Sequence, residues 1–284
     1  MKASKRIETA TSLLNNTQLA KEPVGVVSQS TGTLGKAMEI LDIIANAPEP
    51  LRFTQILNIL DQPRGTLHRN LSNLLEEKLV EVGSDGSYRP GMRLLTLAAR
   101  TWSQNSLRNV AEPHIRRLHD TIGETVHLGV ISGLEVVYLD KLESRQVVRM
   151  HSQVGNSSPL YCTGIGKAIL ATLSEAEFSK KAAAFDYIRY TPTTLYTATL
   201  LSAEIEEIRL ARIAHDREEH EPGIRCVAAC IGGENSGIFA GLSVTAPAFR
   251  ICDEELLLWE QNIVITAQNI EHDLAPALGP RHAE

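Results

Sequence analysis

Leucines stand at positions 67, 71, 74 and 75, in a segment that opens on Pro63. Offsets of four, seven and eight fall on one stripe of a helix with 3.6 residues per turn, and an apolar stripe of that width has to be buried. The opposite face carries Gly65, Arg69, Ser72 and Asn73, with Thr66 and His68 on its flanks, so it is small, polar and rich in hydrogen-bond donors. The flanking segments constrain this helix further. Phe53–Leu60 is a second short apolar run that stops at Asp61-Gln62-Pro63, where Pro63 suits the first position of the next helix. Upstream, Leu34, Met38, Leu41 and Ile44-Ala45 recur at helical spacing until Asn46-Ala47-Pro48. Downstream, Leu79–Val82 and Tyr88–Pro90 read as short strands around the turn Gly83–Ser87. Three helices with a very short turn between the second and third, followed by a β-hairpin, describe a winged helix-turn-helix.

The remainder follows a different pattern. Met92–Ser106 is helical in character and suits a connector between domains. Beyond it, strands are predicted at Thr125–Ile131, Glu135–Leu139, Val147–Met150, Arg225–Ile231 and Phe239–Thr245, each rich in β-branched residues. Helices are predicted near Val110–Thr121, Gly164–Leu173, Ala203–Ala214 and Asp253–Asp273. This mixture predicts an α+β domain with an antiparallel sheet rather than a doubly wound one. A length of 284 residues favours two domains over a single core. The expected organisation is a tail over 1–32, the winged helix-turn-helix over 33–92, a linker helix over 93–106, a larger domain over 107–275 and a short tail to 284.

Several classes of protein are excluded. Apolar residues are 43% and charged residues 22%, far from disordered or fibrous compositions. No stretch approaches the ~20 apolar residues that span a bilayer, and Met1–Asn16 lacks the apolar centre of a secretory signal. A cytoplasmic protein without a membrane partner is expected, with Cys162, Cys226, Cys230 and Cys252 as free thiols.

Charge bears on what the helix-turn-helix can do. Over Thr33–Met92 the bases are Lys36, Arg52, Arg64, Arg69, Lys78 and Arg89, against Glu39, Asp42, Glu49, Asp61, Glu76, Glu77, Glu81 and Asp85, a net of −2. Affinity for DNA comes largely from neutralised phosphates, so one such domain binds weakly, and useful affinity needs two or more on a repeated site. Double-stranded operator DNA and a homodimer or homotetramer are therefore expected together. Arg64 and Arg69 are the expected base or phosphate readers, because a guanidinium pairs in bidentate fashion with guanine. Thr66, His68, Ser72 and Asn73 add hydrogen bonds. Thr54 and Gln55 suit phosphate anchoring at the start of the second helix, Arg89 reaches the flanking backbone or minor groove, and Arg52 is a further DNA-binding residue.

Phe53–Arg89 resembles the DNA-binding domain of the IclR (isocitrate lyase regulator) family of bacterial transcription factors. The segments Gly123–Ser144, Pro159–Ala171, Arg189–Leu195, Glu218–Cys230 and Gly241–Pro247 resemble that family's effector-binding domain, in the same order and at similar spacing. The resemblance covers about residues 33 to 273. It implies a GAF-like fold with a curved antiparallel sheet, and a small organic acid or related metabolite bound beside that sheet to control DNA affinity, more often as a repressor than an activator. It further implies that Thr163, Gly164, Ile165, Asp216, Cys226, Ser243, Val244 and Thr245 form the effector pocket, the first three at the start of a helix whose N–H groups favour an anion. The chain departs from the family pattern at Gly65, where a serine is common, and at Thr245, where a second serine is common.

An enzyme is the main rival. Gly164-Ile165-Gly166-Lys167 suggests a phosphate loop, but Tyr161 and Ala168 stand where a P-loop needs glycine and Ser/Thr. Cys162 or Cys226 with His127, His151, His215 or His220 forms a thiol nucleophile only on paper, since nothing in the spacing supports it. Cys226 and Cys230 with His215 and His220 come nearest to a metal set but lack paired ligand spacing. No catalytic residue, metal or cofactor is expected. A third reading, a protein-interaction adaptor that keeps the winged helix without reading DNA, differs from a regulator in its indifference to Arg69.

Overall fold

The computed structural model describes residues 32–60, 62–147, 152–234 and 236–277, and it divides into two compact units between Ala99 and Arg100.

In the first unit α1 (Gly32–Asn46), α2 (Phe53–Ile59) and α3 (Arg64–Glu76) surround one core. Leu67, Leu71 and Leu74 of the stripe are buried against Ala37, Ile40, Leu41 and Ile44 of α1, Ile56 of α2 and Val80. Each fully buried leucine or isoleucine contributes about 1.5–3 kcal/mol relative to exposure, which is why so short a segment holds three helices in place. Leu75 is only partly buried, at the edge of this core. Pro63 is the N-cap of α3 rather than its first helical residue. Its fixed φ still favours the helix, and its carbonyl accepts the first bonds, from Thr66 and Leu67. The wing has three strands, because Leu51–Arg52 (β1) pairs with β3 (Ser87–Pro90) on the side opposite β2 (Val80–Val82). The helix α4 (Met92–Ser103) follows, and its first turn is tied back by Arg93, which pairs with the Glu77 carboxylate and donates to the Glu77 carbonyl.

The second unit is built on a six-stranded antiparallel sheet, of order β6-β5-β4-β9-β8-β7. These strands are β4 (Thr125–Ser132), β5 (Glu135–Leu142), β6 (Ser157–Pro159), β7 (Ala214–Arg217), β8 (Ile224–Gly233) and β9 (Ile238–Pro247). Alternation along the strands gives it two different faces. Val126, Leu128, Val227, Ala229, Leu242 and Val244 pack on α5 (Ser106–Ile122) and on α9 (Asp253–Ala277) with Trp259, Ile263 and Ile270. The other face meets α6 (Gly164–Leu170), α7 (Glu175–Ala184) and α8 (Ala198–Ala211).

Several expectations are corrected. The helix expected over Gly164–Leu173 stops at Leu170, because Ser174 caps a new helix, α7, that periodicity did not predict. The helix expected over Ala203–Ala214 runs Ala198–Ala211, and Ala214 opens β7, also unpredicted. Of the strand expected at Val147–Met150, Val147 lies in a bend and the rest falls outside the described residues.

Candidate DNA-reading face and effector cavity

The polar face of α3 is open. Gly65, His68, Arg69, Ser72 and Asn73 are exposed and Thr66 is half-buried; Arg52, Thr54, Gln55, Arg64 and Arg89 are exposed as well. Local bonds already hold some of these side chains. The Gln55 carbonyl oxygen accepts the Arg52 backbone N–H at 2.7 Å, closing the start of α2, so this oxygen is taken by the cap while the amide remains a donor. Ser72 Oγ donates to the His68 carbonyl at 2.9 Å. The Arg64 guanidinium lies 5.4 Å from the Phe53 ring centroid, a cation–π arrangement that limits where the arginine can swing. Arg89 pairs loosely with Glu81 at 3.5 Å. No atom stands within 4 Å of a Cβ built on Gly65, so that position is open surface.

The predicted effector residues come from α6 and three strands, and seven of the eight converge. Thr163, Gly164, Ile165, Asp216, Cys226, Ser243 and Thr245 line one cavity of about 50 Å³. Val244 does not. It is wholly buried in the core on the α5/α9 side, because successive residues of β9 face opposite ways and Ser243 and Thr245 hold the cavity side. A larger cavity, about 480 Å³, lies near Arg209, Arg212, Cys230 and Glu271, and none of the eight lines it.

Close packing explains the glycines of α6. A Cβ on Gly166 would sit 2.2 Å from the Leu160 carbonyl oxygen, and one on Gly164 would sit 2.5 Å from Cys226 Sγ. The helix approaches Leu160, the residue after β6, and Cys226 of β8 this closely only without side chains at those positions. At seven residues α6 has little macrodipole, so the expected anion-binding helix end is weaker than the sequence suggested. Thr163 Oγ1 also accepts the Gly166 N–H at 3.3 Å, which uses one of its donors.

Sequence reasoning left out several lining residues, notably His127, Tyr138, Ser152, His220 and Glu221. His127 is the hub of the cavity. Its Nε2 is 2.7 Å from Ser152 Oγ, and Nδ1 lies 3.3 Å from Ser243 Oγ and 3.5 Å from Thr245 Oγ1. Burial, reinforced by the nearby Lys141 ammonium, pushes its pKa down to about 3, so the imidazole is neutral. Its ring stacks at a tilt on Tyr138, with centroids 5.0 Å apart. A signal existed in the pattern, since His127 pairs in register with Ser243, and strand alternation aims both at the same face. Cys226 is buried and its thiol is held well above its ordinary range by that burial and by Asp216, which suits a packed thiol and not a thiolate nucleophile.

Beneath the cavity lies a buried ion network. Lys167 of α6 is wholly buried; its ammonium pairs with Glu219 at 2.5 Å and Glu204 at 3.2 Å, and Arg217 meets Glu204 at 3.1 Å. The Glu219 N–H donates to Asp216 Oδ1 at 2.7 Å, joining network and cavity. Asp216 is lifted to about 7 by burial first and by Glu219 second.

The strand that carries Tyr138 also holds the end of α4. Leu128 pairs with Asp140 and Gly129 with Tyr138, so Leu139 is the extra residue of a β-bulge. Its carbonyl accepts the Trp102 indole N–H at 2.8 Å. Arg108 stacks over that indole, 3.5 Å from its centroid, and pairs with Asp140 at 3.1 Å.

The chain matches the IclR helix-turn-helix domain over residues 33–83 and the bacterial transcriptional regulator IclR C-terminal domain over 99–272. It belongs to the IclR family. It is 31% identical to the HTH-type transcriptional regulator XynR of Escherichia coli over 229 residues, which cover 80% of this chain and 91% of that protein. With the transcriptional repressor IclR of Escherichia coli it shares 27% identity over 256 residues, 88% of this chain and 93% of that one. The crystal structure of the Thermotoga maritima IclR superimposes with a TM-score of 0.67 at 31% identity, covering 85% of this chain and 98% of that one. This IclR-family chain is a transcriptional regulator with a helix-turn-helix DNA-binding domain and a C-terminal effector-binding domain, not an enzyme. Among the described residues no helix is long and apolar enough to cross a membrane.

Proposed function

We propose that this regulator is a cytoplasmic homo-oligomeric repressor, in which residues 33–92 read operator DNA and 107–275 bind a small organic acid that controls that reading. Arg69, Arg64 and Asn73 of α3 contact bases, and Arg52, Thr54, Gln55, Arg89 and the remaining α3 residues contact flanking bases or phosphates. The effector sits against Thr163, Gly164, Ile165, Asp216, Cys226, Ser243 and Thr245, with His127 and Tyr138 added to that set. The observation that carries the effector reading is the convergence of those seven predicted residues, from α6, β7, β8 and β9, on a single cavity. Repression is supported by similarity to the Escherichia coli repressor.

Oligomerisation follows from charge and from α4. The net of −2 over Thr33–Met92 requires paired domains on paired half-sites. Met92 and Leu95 of α4 are exposed and, three residues apart, share one face of the helix, an apolar pair suited to a second copy of the same helix. Effector binding shifts Tyr138, β5 carries the shift to the bulge at Leu139, and Trp102 passes it to α4, so half-site spacing no longer fits. Such coupling requires the effector to prefer one arrangement, typically by about 1–3 kcal/mol. The test is a titration of the protein with its own upstream DNA, with and without small acids that raise its melting temperature. Operator affinity is expected to change in their presence; independent binding of acid and DNA would refute the mechanism.

A further inference from the structure

Among the described residues, the cavity lining includes the carboxylates Asp216 and Glu221 but no lysine or arginine. The nearest cations are already matched. Lys167 and Arg217 balance Glu219 and Glu204, and the Lys141 ammonium is held by Glu143 at 3.3 Å and the Ser152 carbonyl at 2.6 Å. An ionised Asp216, only 8% exposed, is therefore a surplus buried charge beside the Glu219 carboxylate. The other groups facing it do not compensate: His127 is neutral, and burial holds Tyr138 and Cys226 uncharged. His220 and Glu221 complete the titratable lining. Two carboxylates in so small a space repel strongly unless one of them carries a proton.

Resting on the reading of this cavity as the effector site, we propose that the effector is a small carboxylate bound with uptake of one proton, which is held on Asp216 and donated to the ligand's carboxylate. The Glu219 N–H donates to Asp216 Oδ1 at 2.7 Å and the His220 N–H bonds the same carboxyl, so the group is held in place and the shared proton lies between it and the ligand. An O–H to carboxylate bond of this kind is short and strong, and it replaces the arginine or lysine that the site lacks. The hydroxyls of Ser152, Ser243 and Thr245 line the same cavity, whereas the Thr163 O–H is already given to the Pro159 carbonyl at 2.7 Å. The site thus selects an anion that accepts a shared proton and rejects one too weakly basic to do so. Above neutral pH binding weakens, because Asp216 must first be reprotonated.

The test uses the full chain, with acetate, glycolate and benzoate as probes and acetamide as the uncharged control. Thermal shift identifies the binding acid, and calorimetry in two buffers of different ionisation enthalpy counts protons. Affinity is expected to fall about thirtyfold between about pH 6 and about pH 8.5, with about one proton taken up per ligand at the higher pH. Asp216→Asn presents an amide N–H in place of the acid O–H, so it is expected to bind the same acid with an affinity that is flat across this range. A ligand-free measurement checks the same proton independently. The folded-state pKa of Asp216 is raised, so its contribution is fully present below about pH 4 and is lost as pH rises to about 7. The stability of the native protein relative to the Asn variant should decline across that window.

A native affinity that ignores pH, an Asn variant that keeps the native slope, tighter binding of acetamide, or no stabilisation by any of the three acids at about pH 6 would each overturn the proposal. Operator binding by the same preparation reports separately on the regulator, so intact DNA binding beside a negative result removes only the proton link.

Discussion

The reading face and the effector cavity are opposite solutions to placing polar groups. The first is largely one helix face, with residues three and four apart, exposed and held by few local bonds. The second is assembled from α6 and five strands, is largely buried, and satisfies its groups through a network centred on His127 and Asp216. Exposed polar groups exchange water for a ligand at little cost to the fold. Buried ones are part of the fold, because an unsatisfied or unpaired group in the interior costs several kcal/mol. Substitutions on the face should therefore change binding without changing stability, whereas substitutions in the cavity should change stability first.

The strongest challenge to that contrast is Lys167→Ala, which leaves Glu204 and Glu219 without their shared cation. A loss of about 3–5 kcal/mol is expected in urea unfolding, and a loss below about 1 kcal/mol would mean that the network is solvated. Next in size is Gly164→Ala, whose new methyl meets Cys226 Sγ. It should cost about 1–3 kcal/mol, and a double-mutant cycle with Cys226→Ala should recover part of that loss. On the reading face, Arg69→Ala is expected to weaken operator binding by about 1–3 kcal/mol in a mobility-shift titration, with the melting temperature unchanged. If instead the melting temperature fell and operator affinity held, the helix face would be structural and the contrast would fail. The smallest effect belongs to Gly65→Ser, which restores the residue common in the family. Stability should move by less than about 0.5 kcal/mol, since the position is open, and only operator preference should change.

The same contrast decides what could be read from sequence. A helix face repeats every 3.6 residues, so the leucine stripe and the face opposite it were legible from α3 alone, down to the exposure of Arg69 and Asn73. The two-residue strand β1 left no such pattern, because only its pairing with β3 makes it a strand. The helix α7 buries just Phe178 and Ala182, too few apolar positions to mark a period. In the cavity, chain resemblance located Asp216 and Cys226, but Val244 was grouped with its neighbours although strand alternation turns it to the other core. His127 was visible only as one histidine among several until its register with Ser243 was known. Lys167 read as part of a glycine-rich turn, since its partners Glu204 and Glu219 lie 37 and 52 residues away. Long-range pairing of that kind leaves no local trace.

The indole clasped between Arg108 and the Leu139 carbonyl makes the protein its own spectroscopic instrument. Of the chain's two tryptophans, Trp259 is sealed in the core at 3% exposure, whereas Trp102 is 41% exposed under a guanidinium. With Trp259 replaced by phenylalanine, tryptophan emission would come from one residue, seated where the bulge grips the end of α4. Its colour and quenching would follow that grip in real time, in unlabelled protein, as acid or DNA is added.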